Sequence, residues 1–141
     1  MIRNTVSVER SIEEVFDYAA QFDRHPEWQE DLKSATADGP PAVGATGSGM
    51  RQMGPRVHET RWRMTTYERP TILGWEILSG PMRPIGTMRF SAEGTSTRVE
   101  FEMEMNPRGL MKLMGPLIDR QSQKVVAEQF AKFKDILEHP R

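Results

Sequence analysis

The chain contains no cysteine in its 141 residues. That excludes disulfides, thiol nucleophiles and thiolate metal sites, and fits a reducing, cytoplasmic compartment. Histidine is scarce: His25, His58 and His139 are the three present. None has a second histidine or a carboxylate at metal-ligand spacing, because His58 and Glu59 are adjacent and would point to opposite faces of a strand, so no metal site is expected. Neither sign of charge prevails, with Lys plus Arg at 19 and Asp plus Glu at 20, so no global field recruits nucleic acid or an anionic membrane. No apolar run approaches the roughly 18 residues of a membrane span, and Met1-Ile2-Arg3-Asn4 runs into a strand pattern rather than a signal peptide. A soluble protein without stable membrane insertion is expected. The sequence also lacks G-x-S-x-G, P-loop and G-x-G-x-x-G motifs, which leaves hydrolase, NTPase and dinucleotide functions without local support and implies no cofactor. Gly44 to Gly49 (GATGSG) has no following Lys and no helix start, and reads as a flexible strand margin.

What is present begins with the last third. Pro116 to Glu138 has no internal Gly or Pro and is rich in helix formers. At 100° per residue Ile118, Val125, Val126, Phe133, Ile136 and Leu137 form one apolar stripe. Such a helix spans roughly 35 Å, so it must lie across an element of similar extent, a sheet. Ser122 and Gln129 interrupt the stripe near its middle. Either Ser122 bonds back to the helix and Gln129 sits at a wet margin, or both face a cavity that the helix covers.

The remainder is mostly period two. Ile2 to Val8 alternates as a half-buried strand. Ser11-Ile12-Glu13-Glu14 then spells a capping box, and the helix it opens should run to about Phe22-Asp23 with Ile12, Val15, Phe16 and Ala19 buried. A short second helix should follow, with Pro26 at its start and Trp28 as its anchor. Six strands are expected near residues 32–37, 45–53, 56–67, 72–79, 84–91 and 96–105, punctuated by Gly and Pro, and hence an antiparallel meander. The last alternates most clearly, with Thr97, Val99, Phe101, Met103 and Met105 on a dry face against Arg98, Glu100, Glu102 and Glu104. Trp62 and Met64 share a parity that Tyr67 does not, which a bulge would reconcile. Arg108 to Gly115 is an apolar, Met-rich lead-in that should be helical and break at Gly115-Pro116.

The order β, α, α, six β, long α, together with several motifs, resembles the START-like (SRPBCC) superfamily, and within it the polyketide cyclase/dehydrase and lipid-transport group. The matching stretches are Ser11-Ile12-Glu13-Glu14-Val15-Phe16-Asp17-Tyr18, His25-Pro26-Glu27-Trp28, Thr66-Tyr67-Glu68-Arg69-Pro70, Gly94-Thr95-Ser96-Thr97-Arg98-Val99 and the closing helix. They span nearly the whole chain, so residues 1–141 are expected to form one START-like domain. The resemblance implies an α+β helix-grip fold: a seven-stranded antiparallel sheet curved around the C-terminal helix, two short helices closing one end, and an apolar cavity between sheet and helix. It carries over no catalytic motif.

Binding of a small hydrophobic molecule, such as a lipid, an isoprenoid or a polyketide-like aromatic, is the leading function; a cyclase/dehydrase-type enzyme is the second and a protein-interaction domain the third. Candidate wall residues are Trp62, Trp75, Met88, Phe90, Phe101 and Met103 from the sheet, and Ile118, Ser122, Val125, Gln129 and Phe133 from the helix. They equally suit a solid core. An enzyme would need an acid or base in the cavity, for which His58, Arg61, Arg63, Tyr67 and Glu76 are the candidates, His58 first because histidine titrates near neutrality. His25 and Trp28 should fix the short second helix. For Met111 and Met114, simple packing, a gate at the cavity entrance and a homodimer contact are all open.

Overall fold

The computed structural model describes residues 1–140. Seven strands, β1 (Ile2–Val8), β2 (Leu32–Ala37), β3 (Thr46–Met53), β4 (Arg56–Glu68), β5 (Ile72–Ile77), β6 (Ile85–Glu93) and β7 (Ser96–Glu104), form one antiparallel sheet in the order β1-β7-β6-β5-β4-β3-β2. Helix α1 (Ile12–Ala20) and a 3-10 helix over Phe22–Glu27 lie between β1 and β2. A second 3-10 helix, Gly109–Met114, runs into α2 (Gly115–Glu138). This is the helix-grip fold, the sheet curled around α2. No helix among the described residues is long and apolar enough to cross a membrane.

Local chemistry explains the elements. Along β7 burial alternates without exception from Thr97 to Phe101, so one face of the sheet is dry and the other wet. In β4 the register with β5 slips between Met64 and Thr66. The extra residue, Thr65, reverses the alternation, so Trp62, Met64 and Tyr67 all lie on the dry face of the sheet. That is the expected bulge. Gly54 and Gly94 turn the β3–β4 and β6–β7 hairpins with φ of 62° and 63°, where a side chain would be strained.

The helices are tied down at their ends. Ser11 Oγ accepts from the Glu14 amide at 3.3 Å and donates to the Glu14 carboxylate at 3.0 Å. The capping box is thus half formed, because that carboxylate takes the hydroxyl rather than a backbone amide. Helix α1 stops at Ala20, shorter than its periodicity suggested, and the next helix starts at Phe22 with Pro26 inside it. A tight 3-10 turn tolerates the proline because few of its amides need partners. Arg69, in the turn after β4, donates twice to Asp17 of α1 at 2.7 and 2.8 Å, which pulls the Asp17 carboxyl below its ordinary range. Arg10 donates to the carbonyls of Leu137 and Glu138 at 2.9 and 3.2 Å, satisfying the free end of α2.

The space between sheet and α2 has a solid end and a hollow one. Under α1, Phe16 is fully buried and stands edge-on to Tyr67 and Phe90 at 5.4 and 5.1 Å, with Leu73 and Val99 beside it. Away from α1 the same faces part around a void.

Candidate functional site

The void is a cavity of about 740 Å³ between β2–β7 and the first half of α2. Its apolar wall includes Phe22, Trp28, Trp62, Trp75, Met88, Phe101 and Phe130. Trp75 and Phe101 stack at 5.7 Å with 30° between their planes, and Trp62 packs on Phe22 at 4.6 Å. Two of the three tryptophans rest on glycine: Trp62 is the register partner of Gly47, and Trp75 that of Gly86. A Cβ on either glycine would overlap the indole opposite it. The missing side chains let the rings lie flat against the sheet and leave the space above them open.

The polar wall is one hydrogen-bonded chain. His25 Nε2 donates to the Ala19 carbonyl at 2.8 Å, and its Nδ1 accepts from Gln29 Nε2 at 3.2 Å. Gln29 Oε1 in turn accepts from Arg51 Nη2 at 2.9 Å. Arg51 Nη1 donates to Asp31 Oδ2 at 2.7 Å, and Asp31 Oδ1 accepts from Gln129 Nε2 at 2.9 Å. The chain therefore crosses from α1 to α2 along the cavity, each donor aimed at an acceptor. Burial pushes the His25 imidazole down to about 4, aided by the nearby Arg51 charge and opposed by the Ala19 carbonyl and Asp23. The ring is neutral at neutral pH, as its Nδ1 acceptor role demands. Among the described residues Trp28 Nε1 is the one buried side-chain donor without a partner, and it sits in this wall. No group of three or more His, Asp or Glu side chains able to hold a metal occurs among the described residues.

The cavity brings together Trp62, Trp75, Met88, Phe101, Met103, Ser122, Val125, Gln129 and His58. His58 stands opposite Arg51 in the β3–β4 ladder. Three apolar residues expected in the wall lie elsewhere. Phe90 is taken up by Phe16, and Phe133 is sealed among Tyr18, Trp28 and Phe130. Ile118 is buried, but the lining of α2 begins at Gln121, one turn further on. Four of the polar candidates also lie outside. Arg61 and Arg63 alternate with Thr60 and Trp62 and so face the opposite side of β4, where Arg61 pairs with Asp38 at 3.1 Å and Arg63 with Glu76. Tyr67 is turned inward by the bulge but packs on Phe16. Arg61→Ala and Arg63→Ala are expected to change stability by under about 1 kcal/mol each, and apolar-dye affinity hardly at all. Tenfold weaker dye binding in either would contradict this placement.

Gln29, Asp31 and Arg51 were absent from the sequence candidates. Asp31 sits in a turn, and Arg51 in a strand with too few apolar residues to reveal its facing. The signal was the parity of Gly47, Gly49 and Arg51, readable once Gly47 is known to face Trp62.

The family model for polyketide cyclase/dehydrase and lipid transport matches residues 1–138. The chain belongs to this family. Solved structures with the same fold as this polyketide cyclase/dehydrase and lipid-transport family member include the Zhui aromatase/cyclase of Streptomyces sp. R1128, at TM-score 0.81 and 8% identity over 97% of this chain and 92% of that one. A protein of Thermus thermophilus aligns at TM-score 0.78 and 14% identity over 96% and 95%. A START superfamily protein of Mycobacterium smegmatis aligns at TM-score 0.77 and 13% identity over 99% and 98%. At such identities these likenesses concern the fold. Among curated proteins none matches the sequence.

Proposed function

We propose that the chain, acting as one domain over residues 1–141, binds a small lipophilic molecule bearing at least one polar group. The observation that carries this is the cavity itself, whose volume of about 740 Å³ falls in the range of small-molecule sites. Its walls match the two halves of such a ligand. Stacked Trp75 and Phe101 offer a platform for rings or chains, and Gln29, Asp31, Arg51 and Gln129 offer donors and acceptors that fix orientation. A lipid, an isoprenoid and a polyketide-like aromatic all satisfy this description.

The test is direct, because Trp28, Trp62 and Trp75 all line the cavity. Titration with a fluorescent apolar dye should change intrinsic tryptophan emission and saturate at one site. Trp75→Ala should weaken the dye about tenfold. Native mass spectrometry followed by organic extraction should find the lipophile that accompanies the purified protein. A bare-chain mass together with no dye binding would sink the proposal.

A second function, acid–base catalysis on the bound molecule, is favoured by a separate observation. A carboxylate, a guanidinium and two imidazoles line one cavity, and the similar Zhui structure is an aromatase/cyclase. His58→Ala, which removes a cavity-lining imidazole and leaves the Arg51–Asp31–Gln129 chain in place, separates the two: a binder keeps its function with affinity little changed, whereas an enzyme loses turnover while still binding.

A further inference from the structure

The segment that leads into α2 is unusual in what it leaves uncovered. Leu110 and Leu113 are 86% and 84% exposed, and Met114 and Leu117 are 47% and 46% exposed. No residue of the Gly109–Met114 helix is buried. Four of the ten large apolar side chains exposed among the described residues thus fall within eight positions. Their location is the cavity rim. Met111 of the same helix lines the cavity, and so do Pro81, Met82 and Pro84. That neighbouring turn is joined to this segment by the Met82–Pro107 bridge and by the Arg108 amide, which donates to the Pro81 carbonyl at 3.0 Å.

The charges around the rim are one-sided. Arg108 and Lys112 lie on the segment, Arg120 and Lys124 on the first turns of α2 and Arg83 on the adjoining turn, all of them exposed. The one acidic residue between 106 and 124, Asp119, is already held by the N-terminal ammonium at 3.3 Å. A chain of net charge -1 therefore concentrates positive charge where its leucines are bare.

We propose that this rim docks on a bilayer surface containing anionic phospholipid, with Leu110 and Leu113 inserted among the lipids and the basic side chains on the headgroups. Apolar side chains on a short turn, ringed by cations, suit an interfacial seat rather than a protein socket, which would favour aromatic anchors and a matching groove. Each Lys or Arg near such a surface strengthens binding about fivefold. The purpose of docking rests on the ligand proposal, since a lipophile reaching the cavity through this rim need not cross water. The docking chemistry itself is independent of any ligand.

Vesicles of phosphatidylcholine alone, and of phosphatidylcholine with a minority of phosphatidylglycerol, are sedimented with the full chain. The protein should pellet with the anionic vesicles, remain free with the neutral ones, and be released by salt. Lys112→Gln combined with Arg120→Gln should weaken binding about thirtyfold. Leu110→Ser combined with Leu113→Ser should weaken it by at least as much, with an unchanged melting temperature because both side chains are solvent-exposed. No pelleting of the wild-type chain overturns docking, as does a loss confined to the charge variant. So does a concentration-dependent dimer that needs Leu113 and forms without vesicle binding, since a second copy would then own the patch. Apolar-dye binding is measured in parallel without vesicles: its loss alone counts against the cavity proposal, and loss of pelleting alone against docking.

Discussion

Gly47→Ala should destabilise the protein by roughly 3 kcal/mol and lower its melting temperature by about 10 °C. Gly47 faces Trp62 across the β3–β4 ladder, and a Cβ there would overlap both the indole and the Thr36 carbonyl oxygen. The indole could tilt, but Thr36 belongs to β2, which pairs with β3, so its carbonyl moves only if the edge of the sheet moves. Overlap with backbone is therefore the expensive part. Gly86→Ala provides the control. There the overlap is with the Trp75 ring alone, and Trp75 is half-buried at the cavity wall, with empty space to swing into. That variant should lose about 1 kcal/mol of stability and show its main effect as weaker dye binding. Thermal denaturation by circular dichroism decides between the two glycines. Equal losses at both positions would mean that the ring, and not the Thr36 carbonyl, sets the cost.

Much of this architecture was legible because a sheet with one dry face writes its alternation into the sequence. β7 is the clearest case, and the phase change in β4 at Thr65 was readable as a bulge. Alternation tells which face a residue takes, however, and not what covers it. Phe90 and Met88 share a face of β6, yet Phe16 of α1 lands on the first and leaves the second beside the void. The same landing put Tyr67 and Phe133 into solid core. Where the hollow begins is a property of where α1 docks, which depends on the Arg69–Asp17 pair and the α1–β6 contact, separated by many residues in sequence. The polar wall was hidden for a related reason. Gln129 broke the helix stripe and announced itself, whereas Asp31, Gln29 and Arg51 lie in stretches without periodicity and gain meaning only from each other. At the rim, the apolar lead-in is helical as its composition suggests, but for its methionines packing, gate and dimer contact read alike in sequence, and no residue of the helix is buried.

Acidification should loosen the polar wall before it titrates the surface carboxylates. His25 is held neutral in the fold, its imidazole at about 4 against an ordinary value near 6.5. Between those values the unfolded chain binds a proton that the folded chain does not, so stability rises with pH across this window. The associated stability is fully present above about pH 6.5 and is lost progressively as pH falls toward 4, on the order of 3 kcal/mol in total. Asp17, Glu27, Asp38 and Glu138, whose carboxyls are held low by Arg69, Arg24, Thr46 with Arg61, and Lys134, lose their contributions at lower pH still. The urea midpoint of the wild-type chain should therefore drop between pH 7 and pH 5, and that of His25→Gln should stay nearly level. A functional readout should move in the same window. Protonated Nδ1 becomes a donor facing the Gln29 amide, which must turn away, and the turn withdraws Oε1 from Arg51 Nη2. Arg51 then keeps Asp31 as its remaining partner in the wall and swings with it, so dye or ligand affinity should weaken together with stability. If the imidazole resonances of His25 titrate near 6.5 by NMR, both effects vanish and the wall is not set by a neutral histidine.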